Sequence, residues 1–208
     1  MKLKSFGCSL IFGTDLADDG RAGPRATASR LTWPALLANK LQREYHCYAR
    51  AGAGNLQILD TLLSQIDDTD TLYVIGWTYG DRSDYRENNR WATLLPHENS
   101  QLARTYFREL QDDYRDQLSA LTYIQTAISM LGARKYIMIC QDRSVLANTG
   151  APSTQALLTS IRPHISSFEG SSFVDWAHDH QYPTSPTKHP LEAAHRAAAE
   201  YAENHFLV

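Results

Sequence analysis

The 208-residue sequence predicts a three-layer α/β/α domain on a mainly parallel sheet, and three observations carry that reading. Short β-branched and aromatic runs alternate with longer stretches whose apolar residues recur at helical spacing. Helix-length segments, not tight turns, separate the runs, which is the pattern of βαβ units. The length suits one such domain, residues 1–208, with a single core.

The elements follow in order. "LKSFGCS" predicts the first strand, and the Gly- and Asp-rich "GTDLADDGRAGPRATASR" a long loop. "LTWPALLANKLQREY" places Leu36, Leu37 and Leu41 at helical spacing, with Thr32 as N-cap and Pro34 in the first turn. "HCYARA" predicts a short strand. "GNLQILDTLLSQI" predicts a helix with Leu56, Leu59, Leu62, Leu63 and Ile66 on one side. "TLYVIGW" is a buried strand. Residues 77–100 are polar and aromatic without period and predict a loop or lid. Residues 101–131 predict one long helix, broken or continuous, capped by Gly132. "RKYIMIC" is a further buried strand. A short helix over 154–161 precedes Pro163. "SSFVDWA" predicts a weak fifth strand, and "HPLEAAHRAAAEYAENHF" a final helix with Pro190 in its first turn.

Composition narrows the function. A net charge of −3 gives no electrostatic reason to expect nucleic acid or an anionic membrane as partner. Cys8, Cys47 and Cys140 form no CxxC pair, so neither a disulfide framework nor a zinc site is expected. The opening "MKLKSFGCSLIF" reads as a first strand, not a leader, and implies a cytoplasmic protein. No run approaches the ~18 apolar residues of a membrane helix. The acidic "DLADDG" lacks the alternation and distal Glu of a calcium loop and reads as a solvated loop.

In a parallel sheet, ligands bind beyond the carboxyl ends of the strands. That rim collects Gly7-Cys8-Ser9, Gly52 to Asn55, Gly76-Trp77-Thr78, Gln141-Asp142-Arg143 and His189. A serine on a tight turn after a strand can project its hydroxyl, and a nearby histidine can activate it. Backbone N–H groups of adjoining loops can hold a developing oxyanion. Adjacent strand residues face opposite sides, so a cleft-facing Ser9 sends Cys8 to the core.

Four blocks resemble those of the SGNH/GDSL hydrolase superfamily. "FGCSLIFG" resembles the first, with Ser9 as nucleophile and Cys8 where an aspartate usually stands. "ARAGAGNLQI" resembles the second, with Gly54 matching the glycine whose N–H faces the oxyanion. "VIGWTYGDRSD" occupies the third, where Thr78 replaces the usual asparagine and Arg82 and Asp84 match a variant of that block. "KHPLEAAH" resembles the fifth, with His189 as catalytic histidine.

The resemblance implies a flavodoxin-like sheet of about five strands in the order 2-1-3-4-5. It also implies hydrolysis of a small-molecule ester, of a small acyl or acetyl group, without metal or organic cofactor. The implied oxyanion set is Ser9, Gly54 and Thr78. Asn55, Trp77 and Arg82 are candidates for substrate binding. His195, on another helix face from His189, reads as structural. The aspartate that normally precedes the histidine is replaced by Pro186 and Thr187. Ser9 and His189 then act as a dyad, or Asp142, Asp175 or Asp179 supplies the acid, Asp142 having the best position. Two other readings stay open: a binding protein that keeps the fold without catalysis, and an acyltransferase. The oligomeric state is not legible in the sequence.

Overall fold

The computed structural model describes residues 1–20, 27–67 and 70–207. Its strands are β1 (Lys2–Phe6), β2 (Glu44–Cys47), β3 (Thr71–Trp77), β4 (Ser83–Glu87), β5 (Arg90–Leu94) and β6 (Lys135–Cys140). Its helices are α1 (Ser9–Phe12), α2 (Trp33–Lys40), α3 (Asn55–Leu63), α4 (Gln101–Glu109), α5 (Asp113–Leu131), α6 (Pro152–Ile161), α7 (Phe173–Asp179) and α8 (Glu192–His205). The main sheet is parallel, in the order β2-β1-β3-β6.

Alternation along the strands builds the layers. Leu3, Leu72, Val74, Ile137 and Ile139 pack on one face against α2, α7 and α8. Phe6, Tyr73, Ile75, Trp77 and Met138 pack on the other, against α3, α5 and α6. All of β3 is buried, as expected of a central parallel strand covered on both sides. Lys4 is also buried. Its ammonium meets Asp67 Oδ2 at 2.6 Å and the Gln65 carbonyl at 2.8 Å. A cation just past the carboxyl end of α3 also complements that helix's dipole.

The four parallel strands reproduce the first four of the predicted order; the fifth differs. "SSFVDWA" forms helix α7, because Ser172 caps it by accepting from the Asp175 N–H at 3.1 Å. Phe173, Trp176 and Ala177 then fall on one buried helical face. The predicted lid contains a β4–β5 hairpin instead of irregular chain. Its turn residues, Asn88 and Asn89, have φ of 48° and 62°, the geometry of a type I′ turn, which asparagine tolerates. The long helix is broken: Asp112 caps α5 by accepting from the Arg115 N–H at 2.7 Å. Pro190 lies just before α8, bridged to Thr184, with Leu191 as N-cap.

His195 is structural, as its position predicts. It is 1% exposed, and its Nδ1 accepts from the Trp33 N–H at 3.0 Å, the first N–H of α2. Its other nitrogen bonds the Pro190 backbone. One neutral imidazole therefore ties α2, α8 and the segment carrying His189. Burial and the neighbouring His189 push its pKa down to about 3. The unfolded chain binds this proton near pH 6.5 and the folded chain does not until about pH 3. The stabilising contribution is therefore full above pH 6.5 and is lost as pH falls through that window, by up to about 1.4 kcal/mol per pH unit. Thermal melts at pH 7 and at successively lower pH should show the midpoint falling. His195→Gln should lower the midpoint at pH 7 and flatten the decline.

Candidate active site

Ser9 opens α1 directly after β1. Its N–H stands at the first helical position, where no intrahelical acceptor exists. The single turn stops at Gly13, whose φ of 87° ends the helix; a Cβ there would lie 2.4 Å from Ser29 Cβ. The chain reverses, and Asp15, itself at φ 71°, points back at the strand ends. From the other end of the sequence, residues 185–189 form a closed turn. The Ser185 N–H donates to the His189 carbonyl at 2.9 Å, and the His189 N–H to Ser185 Oγ at 3.2 Å.

These two segments meet. His189 Nε2 lies 3.0 Å from Ser9 Oγ, and His189 Nδ1 lies 2.8 Å from Asp15 Oδ2. An imidazole protonated at Nδ1 satisfies both contacts, donating to the carboxylate and accepting from the serine hydroxyl. The same Asp15 oxygen accepts from Ser185 Oγ at 2.8 Å and from the Thr187 hydroxyl, which also lies 2.8 Å from His189 Nδ1. The His189 and Asp15 side chains are each 20% exposed, so the group borders solvent. Cys8 Sγ is buried, 4.0 Å from Ser9 Oγ.

The carboxylate at His189 thus differs from the expected ones. Asp142 accepts from the Ser144 N–H at 2.8 Å and caps the 3₁₀ turn over residues 143–146. Asp175 is bonded by the Ser172 hydroxyl at 2.8 Å, and Asp179 lies on the surface beside His178. Asp15 was hidden in the loop read as solvated, 174 residues from His189. The legible signal was the pair Ser185 and Thr187: hydroxyls flanking the vacant aspartate position can hold a carboxylate brought from elsewhere.

The second and third blocks also depart from expectation. The Gly54 N–H donates to Asp84 Oδ1 at 3.0 Å, and the Gln57 N–H to Asp84 Oδ2 at 2.9 Å. A charged carboxylate thereby caps α3 and occupies the N–H expected to face an oxyanion. A Cβ at 54 would sit 2.5 Å from Asp84 Oδ2, so a larger residue there must push this carboxylate off the two N–H groups. The Thr78 side chain has no exposed surface, and its hydroxyl finds no partner among the described residues. Of the expected oxyanion set, the Ser9 N–H is the member left without a competing acceptor among the described residues.

Asn55 clamps the third block and is not open to a ligand. Its Oδ1 accepts from the Thr78 N–H at 2.8 Å, and its Nδ2 donates to the Thr78 and Tyr79 carbonyls at 3.2 and 3.4 Å. Trp77 is wholly buried in the core. Arg82 donates to the Ala53 carbonyl at 3.0 Å while lying over the Tyr79 ring at 5.1 Å. Arg50, Gln57 and Thr93, unremarked in the sequence, complete this scaffold. Arg50 donates to Gln57 Oε1 and to Thr93 Oγ1, and Thr93 donates to Asp84 Oδ1 at 2.6 Å. Burial lowers the Arg50 pKa, and the Asp84 charge works against that shift.

No protein-family model and no curated protein matches the sequence. Solved structures do match the fold over its whole length. A member of the lipolytic G-D-S-L family from Veillonella parvula aligns with TM-score 0.53 and 11% identity, over 99% of this chain and 98% of that one. TesA aligns with TM-score 0.54 and 14% identity, over 98% and 97%. A carbohydrate esterase family 2 enzyme with a carbohydrate-binding domain, from Myceliophthora fergusii, aligns with TM-score 0.51 and 14% identity, over 98% of this chain and 64% of that one. At these identities the likeness establishes the architecture: the chain has the fold of the SGNH/GDSL hydrolases. Among the described residues, no group of His, Cys, Asp or Glu could hold a metal ion, and no helix is long and apolar enough to cross a membrane.

The Asp84 scaffold yields a stability prediction. Asp84→Ala leaves two helix-end N–H groups without their carboxylate, which costs about 2 kcal/mol and lowers the midpoint by about 4–8 °C. Differential scanning calorimetry measures it. Asp84→Asn, which keeps one acceptor oxygen, should lose about half as much.

Proposed function

We propose that the protein is a serine ester hydrolase whose triad is Ser9, His189 and Asp15. The observation that carries this reading is the unbroken contact from Ser9 Oγ through His189 to Asp15 Oδ2, at 3.0 and 2.8 Å. His189 Nε2 takes the Ser9 proton as Oγ attacks the ester carbonyl. Asp15 holds the ring in the Nδ1–H tautomer and stabilises the imidazolium that forms. The Ser9 N–H is one donor to the tetrahedral oxyanion. Collapse returns the proton to the leaving alcohol and leaves an acyl-enzyme. Water, deprotonated by His189, then releases the acid. The substrate is a small-molecule ester of a short acyl group such as acetyl. The esterases and lipolytic proteins among the structural neighbours support this class of reaction.

Two observations favour a second reading, a binding protein without turnover: the Gly54 N–H is occupied and the Thr78 hydroxyl is buried. A fluorophosphonate probe separates the two. Labelling that disappears in Ser9→Ala supports the hydrolase. No labelling between about pH 6 and 9, where a histidine base becomes neutral, supports the binding protein. Addition of alcohols or sugars to the assay tests for acyl transfer in place of hydrolysis.

Asp15→Asn should lower kcat by about 10³- to 10⁴-fold on an acetyl ester, as loss of the carboxylate favours the wrong tautomer. KM should change little. Asp142→Asn should leave kcat near that of the unsubstituted protein, which distinguishes the two aspartates in one steady-state experiment.

A further inference from the structure

Ser185 is 9% exposed and meets Asp15 across 170 residues of chain. Its oxygen accepts from the Thr187 N–H and from the His189 N–H, each at 3.2 Å. Two accepted bonds fill the lone pairs of a hydroxyl and leave its O–H to donate. The acceptors beside that O–H are Asp15 Oδ2 at 2.8 Å and Thr187 Oγ1 at 3.0 Å. The charged oxygen forms the stronger bond, so the Ser185 proton goes to Asp15.

Thr187 is placed differently. It is exposed, and its hydroxyl borders Asp15 Oδ2, Ser185 Oγ and, at 2.8 Å, His189 Nδ1. That oxygen can accept the ring's Nδ1–H in place of Asp15. A neutral hydroxyl stabilises an imidazolium less than a carboxylate does, so the site works only while Asp15 keeps its aim.

The backbone on both sides of the contact needs support. Asp15 has φ of 71° and Lys188 of 66°, left-handed values uncommon outside glycine. Such residues persist where their surroundings over-determine them. Farther along the Asp15 loop, the Ala17 N–H donates to Glu192 Oε1 at 2.8 Å. The loop is thus docked on the final segment by a buried contact at Ser185 and by an exposed one at Glu192.

We propose that Ser185 is a positioning residue for the reaction, acting through Asp15 and not on the substrate. Its hydroxyl aims Asp15 Oδ2 at His189 Nδ1, which keeps the ring proton on Nδ1 and turns Nε2 to Ser9. Without it, Asp15 is free to turn and Thr187 competes for the Nδ1–H. The kinetic consequence rests on the hydrolase reading; the consequence for the tautomer does not.

Nitrogen-15 NMR of histidine-labelled protein reads the tautomer directly, with the His189 signals assigned by their loss in His189→Asn. The neutral ring should carry its proton on Nδ1 in the unsubstituted protein. Ser185→Ala should mix the two tautomers, and Ser185→Thr, which keeps the hydroxyl, should restore the first. On an acetyl ester, Ser185→Ala should lower kcat about 10- to 100-fold with KM little changed, as for other residues that orient a catalytic group from behind. In an Asp15→Asn background the same substitution should cost nothing more, because groups acting as a unit are not additive. Glu192→Ala removes the exposed contact alone and should leave the tautomer as it is. Should Ser185→Ala fail to fold, Ser185→Cys, similar in size with a weak S–H donor, should move the tautomer in the same direction. A single Nδ1–H tautomer in the Ser185 variants overturns the proposal. So does a full additive loss on Asp15→Asn, or an equal effect of Glu192→Ala. If no ester is cleaved, the hydrolase reading falls and the NMR comparison decides the role of Ser185 by itself.

Discussion

The contact on which the site depends is the 2.8 Å hydrogen bond between His189 Nδ1 and Asp15 Oδ2. It joins the first loop of the chain to the last, fixes which ring nitrogen carries the proton, and turns the other nitrogen toward Ser9. The bond is embedded in a hydroxyl cluster, with Ser185 and Thr187 donating to the same carboxylate oxygen. A carboxylate satisfied on several sides is held in one orientation, and so is the imidazole it bonds. Behind it stands His195, buried and neutral, anchoring Pro190 and the start of α2 together.

Around this centre, polar groups that resemble catalytic ones serve the scaffold. Asp84 caps α3 through the Gly54 and Gln57 N–H groups, Asn55 clamps the backbone at Thr78 and Tyr79, and Arg82 holds the Ala53 carbonyl. The three loops at the strand ends are thereby cross-linked by side chains in place of backbone pairing. Loops with unpaired backbone groups need such partners, and charged ones give the strongest bonds.

The replacement of a fifth strand by α7 shapes the surface beside this centre. Beside β6 the Ser166 N–H donates to the Met138 carbonyl at 2.7 Å, so the segment before α7 takes one backbone bond along that edge, and a cavity lined by Cys140, Arg143, Arg162 and Ser166 lies next to it. Ser172 decides the outcome locally, since its hydroxyl offers the cap a helix needs and a strand does not. The same hydroxyl donates to the Asp175 carboxylate at 2.8 Å, so one capping residue fixes both the helix start and the position of that charge.

Much of this was legible in one dimension. The buried strands "TLYVIGW" and "RKYIMIC" and the helices α2, α3, α5 and α8 follow from hydrophobic period and segment length, while the order of the first four parallel strands came with the family resemblance. Those signals arise within about ten residues. Ser9 and His189 were singled out by short blocks of sequence, each a local pattern. Asp15 and the carboxylate that occupies the Gly54 N–H were not assigned those roles, because each depends on a contact across 174 or 30 residues that no local pattern encodes. Residue types alone determined the layers and which side chains face inward, through the period of burial. Only tertiary structure decided which carboxylate meets the imidazole, since a charged group takes the nearest donors the folded chain brings to it, whatever their distance in sequence.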